Sequence, residues 1–197
     1  MEVVAKQERS QKRIDSIVDA AVQIIESEDI NALSLAKVAE ISGLKRTSTY
    51  KFIPTVNTLK ELVIIKCIDE CVDCFDSDLI KLDLDVDISK VTNLIVTVLF
   101  DFFVNSLVSQ KLILGYTINP PLNSKCIHKL GNAIEKTYER NININDVFNK
   151  AGVCRVIAQI ILSVFSLNTK ESGTLNDVGK IEATRAATAY LESWIKK

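Results

Sequence analysis

Histidine, proline and glycine are scarce here: the 197 residues hold one His, three Pro and six Gly, with one Met and one Trp. The single histidine, His128, excludes a three-histidine or Glu-x-x-His metal site, because such sites draw several ligands from facing elements. A histidine-dependent triad would have only this one base to recruit, and no serine sits in a nucleophile motif. These gaps argue against an enzyme and imply no cofactor and no metal. Few glycines and prolines exclude collagen-like and low-complexity chains. Membrane-length apolar runs are lacking too. Asp101 and Asn105 interrupt the segment 94–108, Arg155 and Gln159 interrupt 153–167, and each is shorter than the ~20 residues of a span. Both are expected as buried core helices. The N-terminus carries Glu2 and the basic stretch Lys6–Arg13 where a signal peptide would be apolar. With no secretion signal, the five cysteines are expected as thiols and the protein as cytoplasmic.

What is present is apolar periodicity. Hydrophobic residues make up 47% of the chain, enough for a core, and long segments repeat at the helical period. The expected fold class is all-α, with about nine helices. Residues 10–28 carry Ile14, Ile17, Val18, Ala21, Ile24 and Ile25 on one stripe. Further helices are expected at 55–80, 88–108, 110–118, 122–140, 146–168 and 176–195. The net charge is only −1, yet the charges are sorted. Lys45, Arg46, Lys51, Lys60 and Lys66 face the single Glu61 across residues 45–66. Asp69, Glu70, Asp73, Asp76, Asp78, Asp83, Asp85 and Asp87 follow, with only Lys81 to oppose them. A basic patch beside an acidic one turns one end of the molecule toward a polyanion.

Between the first two long helices lies Ser34 to Ile53, which reads as two short helices around a tight turn. Ser34 is placed to cap the first, its hydroxyl accepting an amide of the opening turn. Leu35, Val38 and Ala39 give that helix one apolar face. Ser42-Gly43 stops it, since glycine tolerates the positive φ of a helix end. The chain then becomes basic and hydroxylic: Lys45, Arg46, Thr47, Ser48, Thr49, Tyr50, Lys51. Such side chains contact phosphates and base edges, and the pair has the pattern of a helix-turn-helix whose second helix enters the major groove.

Other constellations are weaker. Cys67, Cys71 and Cys74 have cluster-like spacing, but inside a helix i, i+4, i+7 places all three on one face, as in a buried stripe. Leu82 to Ile88 alternates strictly and is expected as an extended connection. Its Asp-x-Asp-x-Asp resembles a calcium loop, but Ile88 occupies the glycine position and Leu94 that of the bidentate glutamate.

Arg13, Ile17, Ala20-Ala21, Val38-Ala39, Gly43-Leu44, Ser48, Tyr50, Ile53-Pro54 and Leu59 stand at spacings that resemble the TetR family of one-component bacterial transcriptional regulators. The resemblance covers about a quarter of the chain. It implies a DNA-binding domain at 1–54 and a helical effector-binding and dimerisation domain at 55–197. It further implies a ligand-responsive regulator, expected as a repressor, that grips a near-palindromic operator as a homodimer and is released by a small molecule. Ser34, Lys45, Arg46, Thr47, Ser48, Tyr50, Lys51 and Lys60 are the DNA-contact candidates. Phe102, Phe103, Asn105, Tyr116, His128 and Phe165 are the ligand-pocket candidates, aromatic walls with a few polar groups. The last two helices, with Gly179, Ala183, Ala186, Ala187 and Ala189, are expected to pair two copies, small residues letting helices approach. Asp29, Lys45, Thr47, Thr49, Phe52 and Val56 depart from the family pattern, and Val56 stands where a phosphate-touching lysine is usual. These departures keep open the alternative of a cytoplasmic all-α ligand-binding or interaction protein that has lost DNA recognition.

Overall fold

The computed structural model describes residues 2–75, 86–115 and 122–195, with side chains from residue 7 onward. Among the described residues every regular element is helical. The chain divides into two compact units, Met1–Ile65 and Lys66–Lys197. The division falls within a helix, eleven residues beyond the 54/55 boundary drawn at Pro54.

The first unit begins with α1, Glu2–Ser27, longer at its N-terminus than the apolar stripe predicts. Ile17, Ala21, Ile24 and Ile25 are fully buried and form the floor of this unit. A 3-10 turn, Ile30–Ala32, follows. Asp29 opens it, its carboxylate accepting the Asn31 amide at 3.0 Å. That side-chain turn explains an aspartate where the family pattern has glycine: φ is −166°, so no left-handed residue is needed. Next come α2, Leu35–Ile41, and α3, Arg46–Phe52. The helix α4, Val56–Asp73, starts behind Thr55, whose hydroxyl accepts the Thr58 amide at 3.1 Å.

The second unit holds the rest. Asp87 caps α5, Ile88–Asn105, by accepting the Lys90 amide at 2.7 Å, so this residue of the acidic alternation serves a helix start. Residues 82–85 of that alternation, Tyr116 and the Pro120-Pro121 pair lie outside the described residues. The expected helix 88–108 breaks at Ser106, which turns to φ −117°, ψ 92° and accepts the Ser109 amide. The short α6, Leu107–Ser109, passes into a π-helical stretch, Gln110–Gly115. Asn123 opens α7, Ser124–Asn141, by accepting the Cys126 amide at 3.0 Å. Then come α8, Lys150–Ser172, and α9, Asp177–Glu192. At 18 and 23 residues, α5 and α8 are long and apolar enough to cross a membrane by length and composition. Each packs its apolar side inside the unit, with Val91, Ile95, Leu99 and Phe103 buried on one and Val153, Ile157, Ile161 and Phe165 on the other.

In this unit α8 packs between α7 and α9, and α9 also packs on α5. Thr92 and Tyr138 tie α5 to α7 through a buried 2.8 Å hydrogen bond. Because the Thr92 hydroxyl donates to the Ile88 carbonyl, Tyr138 is the donor of that bond. Burial holds the Tyr138 phenol well above the usual range, so it stays protonated. The stripe Gly179, Ala183, Ala187 and Leu191 is buried within this unit, so those residues cannot line a contact with a second copy. Close approach here serves the chain's own packing: a Cβ on Gly179 would lie 2.7 Å from Asn168 Oδ1. Ala186, Ala189, Val178 and Ile181 are the apolar α9 residues left exposed.

The cysteine stripe is buried only in part. Cys67 and Cys71 are buried, whereas Cys74 is exposed. The helix tightens at its end, with Cys74 and Phe75 amides donating to the carbonyls three residues back. This swings residue 75 inward, where Phe75 is buried. Burial raises every thiol above its usual pKa, Cys154 to about 12. Metal binding and disulfide exchange need the thiolate, so these cysteines are poor candidates for either.

Candidate nucleic-acid interface

The turn between α2 and α3 follows from its sequence almost residue by residue. Ser34 caps α2, its hydroxyl accepting the Lys37 amide at 3.3 Å. Gly43 ends the helix at φ +69°, where the Gly43 amide meets the Glu40 carbonyl and the Leu44 amide the Ala39 carbonyl. Those two bonds satisfy carbonyls that a helix end otherwise leaves unpaired, with glycine in the one position needing a left-handed backbone. Lys37 also pairs with Glu28 at 2.5 Å, clipping α2 to the segment that follows α1. Both groups are well exposed, so the pair contributes at most ~1 kcal/mol.

Lys45 occupies the cap position of α3 and makes no side-chain cap bond. That omission costs about 1 kcal/mol of helix stability relative to a serine or aspartate. Thr49 faces inward and is fully buried, its hydroxyl donating to the Lys45 carbonyl at 3.4 Å. With Ile53 also fully buried, Thr49 fixes which side of α3 looks out. At about 100° per residue, Thr47 and Lys51 point most directly away from Thr49, and Tyr50 and then Arg46 follow on one side of them. All four are exposed, Tyr50 by 48%. Ser48, Phe52, Val56 and Lys60 are half-buried, and Ser34 and Lys45 are exposed. The outward face of α3 thus carries two basic side chains, one hydroxyl and one phenol on a helix locked from beneath. Such a face can contact phosphates with Arg46 and Lys51 and reach base edges with Thr47 and Tyr50.

The ligand-pocket candidates of the second unit separate. Phe103 and Phe165 are fully buried and meet edge to face at 6.3 Å. Phe102 joins Phe103 at 5.3 Å, and Phe100 reaches Phe165 at 6.2 Å. Asn105 is exposed, its amide donating to the Asp101 carbonyl at 2.8 Å. His128 is exposed as well, in an open groove of about 620 Å³ shared with Arg155, Gln159, Tyr190 and Trp194. None of the phenylalanines lines that groove. Sequence reading missed the groove because its lining comes from three successive helices whose contributing residues lie tens of positions apart.

Helices of this kind in this order match solved structures over nearly the whole chain. A TetR transcriptional regulator from Rhodococcus sp. RHA1 superposes with a TM-score of 0.71 at 11% identity, covering 92% of this chain and 96% of its own. A TetR-family transcriptional regulator from Streptomyces coelicolor gives 0.65 at 14% identity, covering 93% and 99%. The TetR family repressor AlkX from Dietzia sp., implicated in biodegradation of n-alkanes, gives 0.60 at 17% identity, covering 93% and 98%. The chain has the TetR-family fold. No family model matches the sequence, and no curated protein matches it either. Identities this low belong to shared architecture rather than shared residues, so the TetR fold identifies the helical frame and leaves chemistry to the side chains.

Proposed function

We propose that the protein is a cytoplasmic transcriptional regulator that binds double-stranded DNA as a homodimer, represses from a near-palindromic operator and is released by a small-molecule effector. The observation that carries the reading is the outward face of α3. Arg46, Thr47, Tyr50 and Lys51 are exposed together while Thr49 and Ile53 hold the helix down. Ser34, Lys45, Ser48 and Lys60 complete the proposed contact set. Two copies of a TetR fold would place two such helices in successive major grooves. Val156 and Leu167 on α8 and Val178 and Ile181 on α9 are exposed apolar side chains, and with Ala186 and Ala189 they form the face proposed to pair the copies. The effector would act by binding one arrangement of the dimer more tightly than the other. Phe102, Phe103 and Phe165 are proposed as the apolar wall of its site.

The test is a gel shift against the DNA immediately upstream of the protein's own gene. The parent is expected to retard it at low salt. Arg46→Ala with Lys51→Ala should weaken binding across sequences and flatten its salt dependence by about two phosphate contacts' worth. Equal retardation by a folded double variant would remove α3 from the interface. No retardation by the parent would favour the alternative, an all-α ligand-binding protein whose head no longer reads DNA.

A further inference from the structure

A second cationic surface lies on α7, away from the aromatic residues discussed above. Lys129, Lys136 and Arg140 are spaced by seven and four residues, which places them within about 40° of one another around the helix. They border a half-enclosed cleft of about 190 Å³. Its other walls are Asn132 and Ala133 of α7 and Val72 and Phe75 at the end of α4. Among the described residues no acidic side chain lines it. Lys129 is ion-paired with Asp69 of α4. The acids of α7 are committed elsewhere, Glu135 and Glu139 both pairing with Lys150. Lys136 and Arg140 have no ion pair among the described residues.

Two cations with no counter-charge among the described residues, a side-chain amide and a floor of valine, phenylalanine and alanine form an uncommon combination for a solvent-facing helix. A solvated lysine face would need no concavity and no apolar floor. The volume holds about six waters' worth of space, enough for one small organic molecule. Arg140 can accept a carboxylate through a two-point fork, Lys136 adds a point charge, and the Asn132 amide can donate to the same group. Val72, Phe75 and Ala133 would shed water against an apolar body, which a bare inorganic anion lacks.

We propose that this cleft binds a small carboxylate bearing a short aromatic or aliphatic body. The inference stands on the second unit alone and is independent of whether α3 reads DNA. Calorimetric titration of the full chain with benzoate, hexanoate, benzamide and inorganic phosphate tests it. Both carboxylates should bind saturably, at least tenfold more tightly than neutral benzamide and more tightly than phosphate. Lys136→Ala with Arg140→Ala should weaken carboxylate binding at least tenfold with an unchanged helical circular-dichroism spectrum. The charge-keeping pair Lys136→Arg with Arg140→Lys should retain binding, separating charge from any effect on folding. Absence of saturable binding by both carboxylates up to about 10 mM would overturn the proposal, and is the result expected if another part of the chain neutralised the cleft. An alanine double variant that binds like the parent would also overturn it. Phosphate binding as tightly as benzoate would overturn the apolar-body assignment.

Discussion

The two units of this chain are stabilised in different ways. In the first, the decisive bonds join residues two to nine apart: Asp29 to Asn31, Ser34 to Lys37, Gly43 to Glu40, Glu28 to Lys37. In the second they span the chain. Gln110 accepts the Leu175 amide, Ser166 donates to the Leu114 carbonyl, Tyr138 donates to Thr92, and Lys129 meets Asp69. A unit organised by local bonds keeps its signature in short motifs. One organised by distant bonds can preserve its shape while its short motifs drift.

The largest expected effect comes from the core of the first unit. Ile53→Ala should cost about 2–5 kcal/mol of that unit's stability, because a fully buried Ile53 leaves a cavity beneath α3. Native-state hydrogen exchange should show protection lost in α2 and α3 while α8 retains its own. Equal loss in α8 would break the distinction between the units.

Asn168→Ala probes the clip between α8 and α9 in the second unit. Asn168 donates to Asn176 Oδ1 at 3.0 Å and accepts the Asn176 amide at 2.9 Å, with Gly179 seated against its side chain. Removing it strands the Asn176 amide and should cost about 1–3 kcal/mol, read by denaturant unfolding. The loss of protection should centre on α8 and α9 and spare α2.

The effect that is smallest at neutral pH is an alkaline one in the second unit. Cys154 has its folded pKa raised from 9.0 to about 12 by burial. The folded state therefore holds this proton more firmly than the unfolded chain. Its contribution is fully present below pH 9 and is lost as pH rises from 9 to about 12, by at most about 1.4 kcal/mol per pH unit. Unfolding of the parent against Cys154→Ser across that range should show a shallower decline for the variant. Parallel curves would contradict the burial of this thiol.

Much of the first unit was legible in advance. The Ser34 cap, the Gly43 stop and the inward stripe of α1 each depend on a neighbour a few residues away, so the sequence alone carries their physics. The direction of α3 required one tertiary fact, the burial of Thr49. A polar residue between two basic ones does not announce itself as the inward side. In the second unit helix positions were legible from periodicity, yet partners were not. The small residues of α9 read as a face for another molecule, whereas Gly179, Ala183 and Ala187 are buried in their own unit. Small size reveals close approach without naming what approaches. His128 and Asn105 were grouped with the phenylalanines by chemistry, and packing set them apart on the surface.

Sequence by itself determined the helical class, the helix-turn-helix and the chemistry α3 presents, because caps, glycine stops and a 3.6-residue period are properties of short stretches. Only the tertiary structure decided which way α3 faces, what α9 packs against and that Lys136 and Arg140 border a cleft with an apolar floor. Those outcomes depend on residues tens of positions apart being brought into contact, and a linear chain does not record which of its many apolar faces will meet.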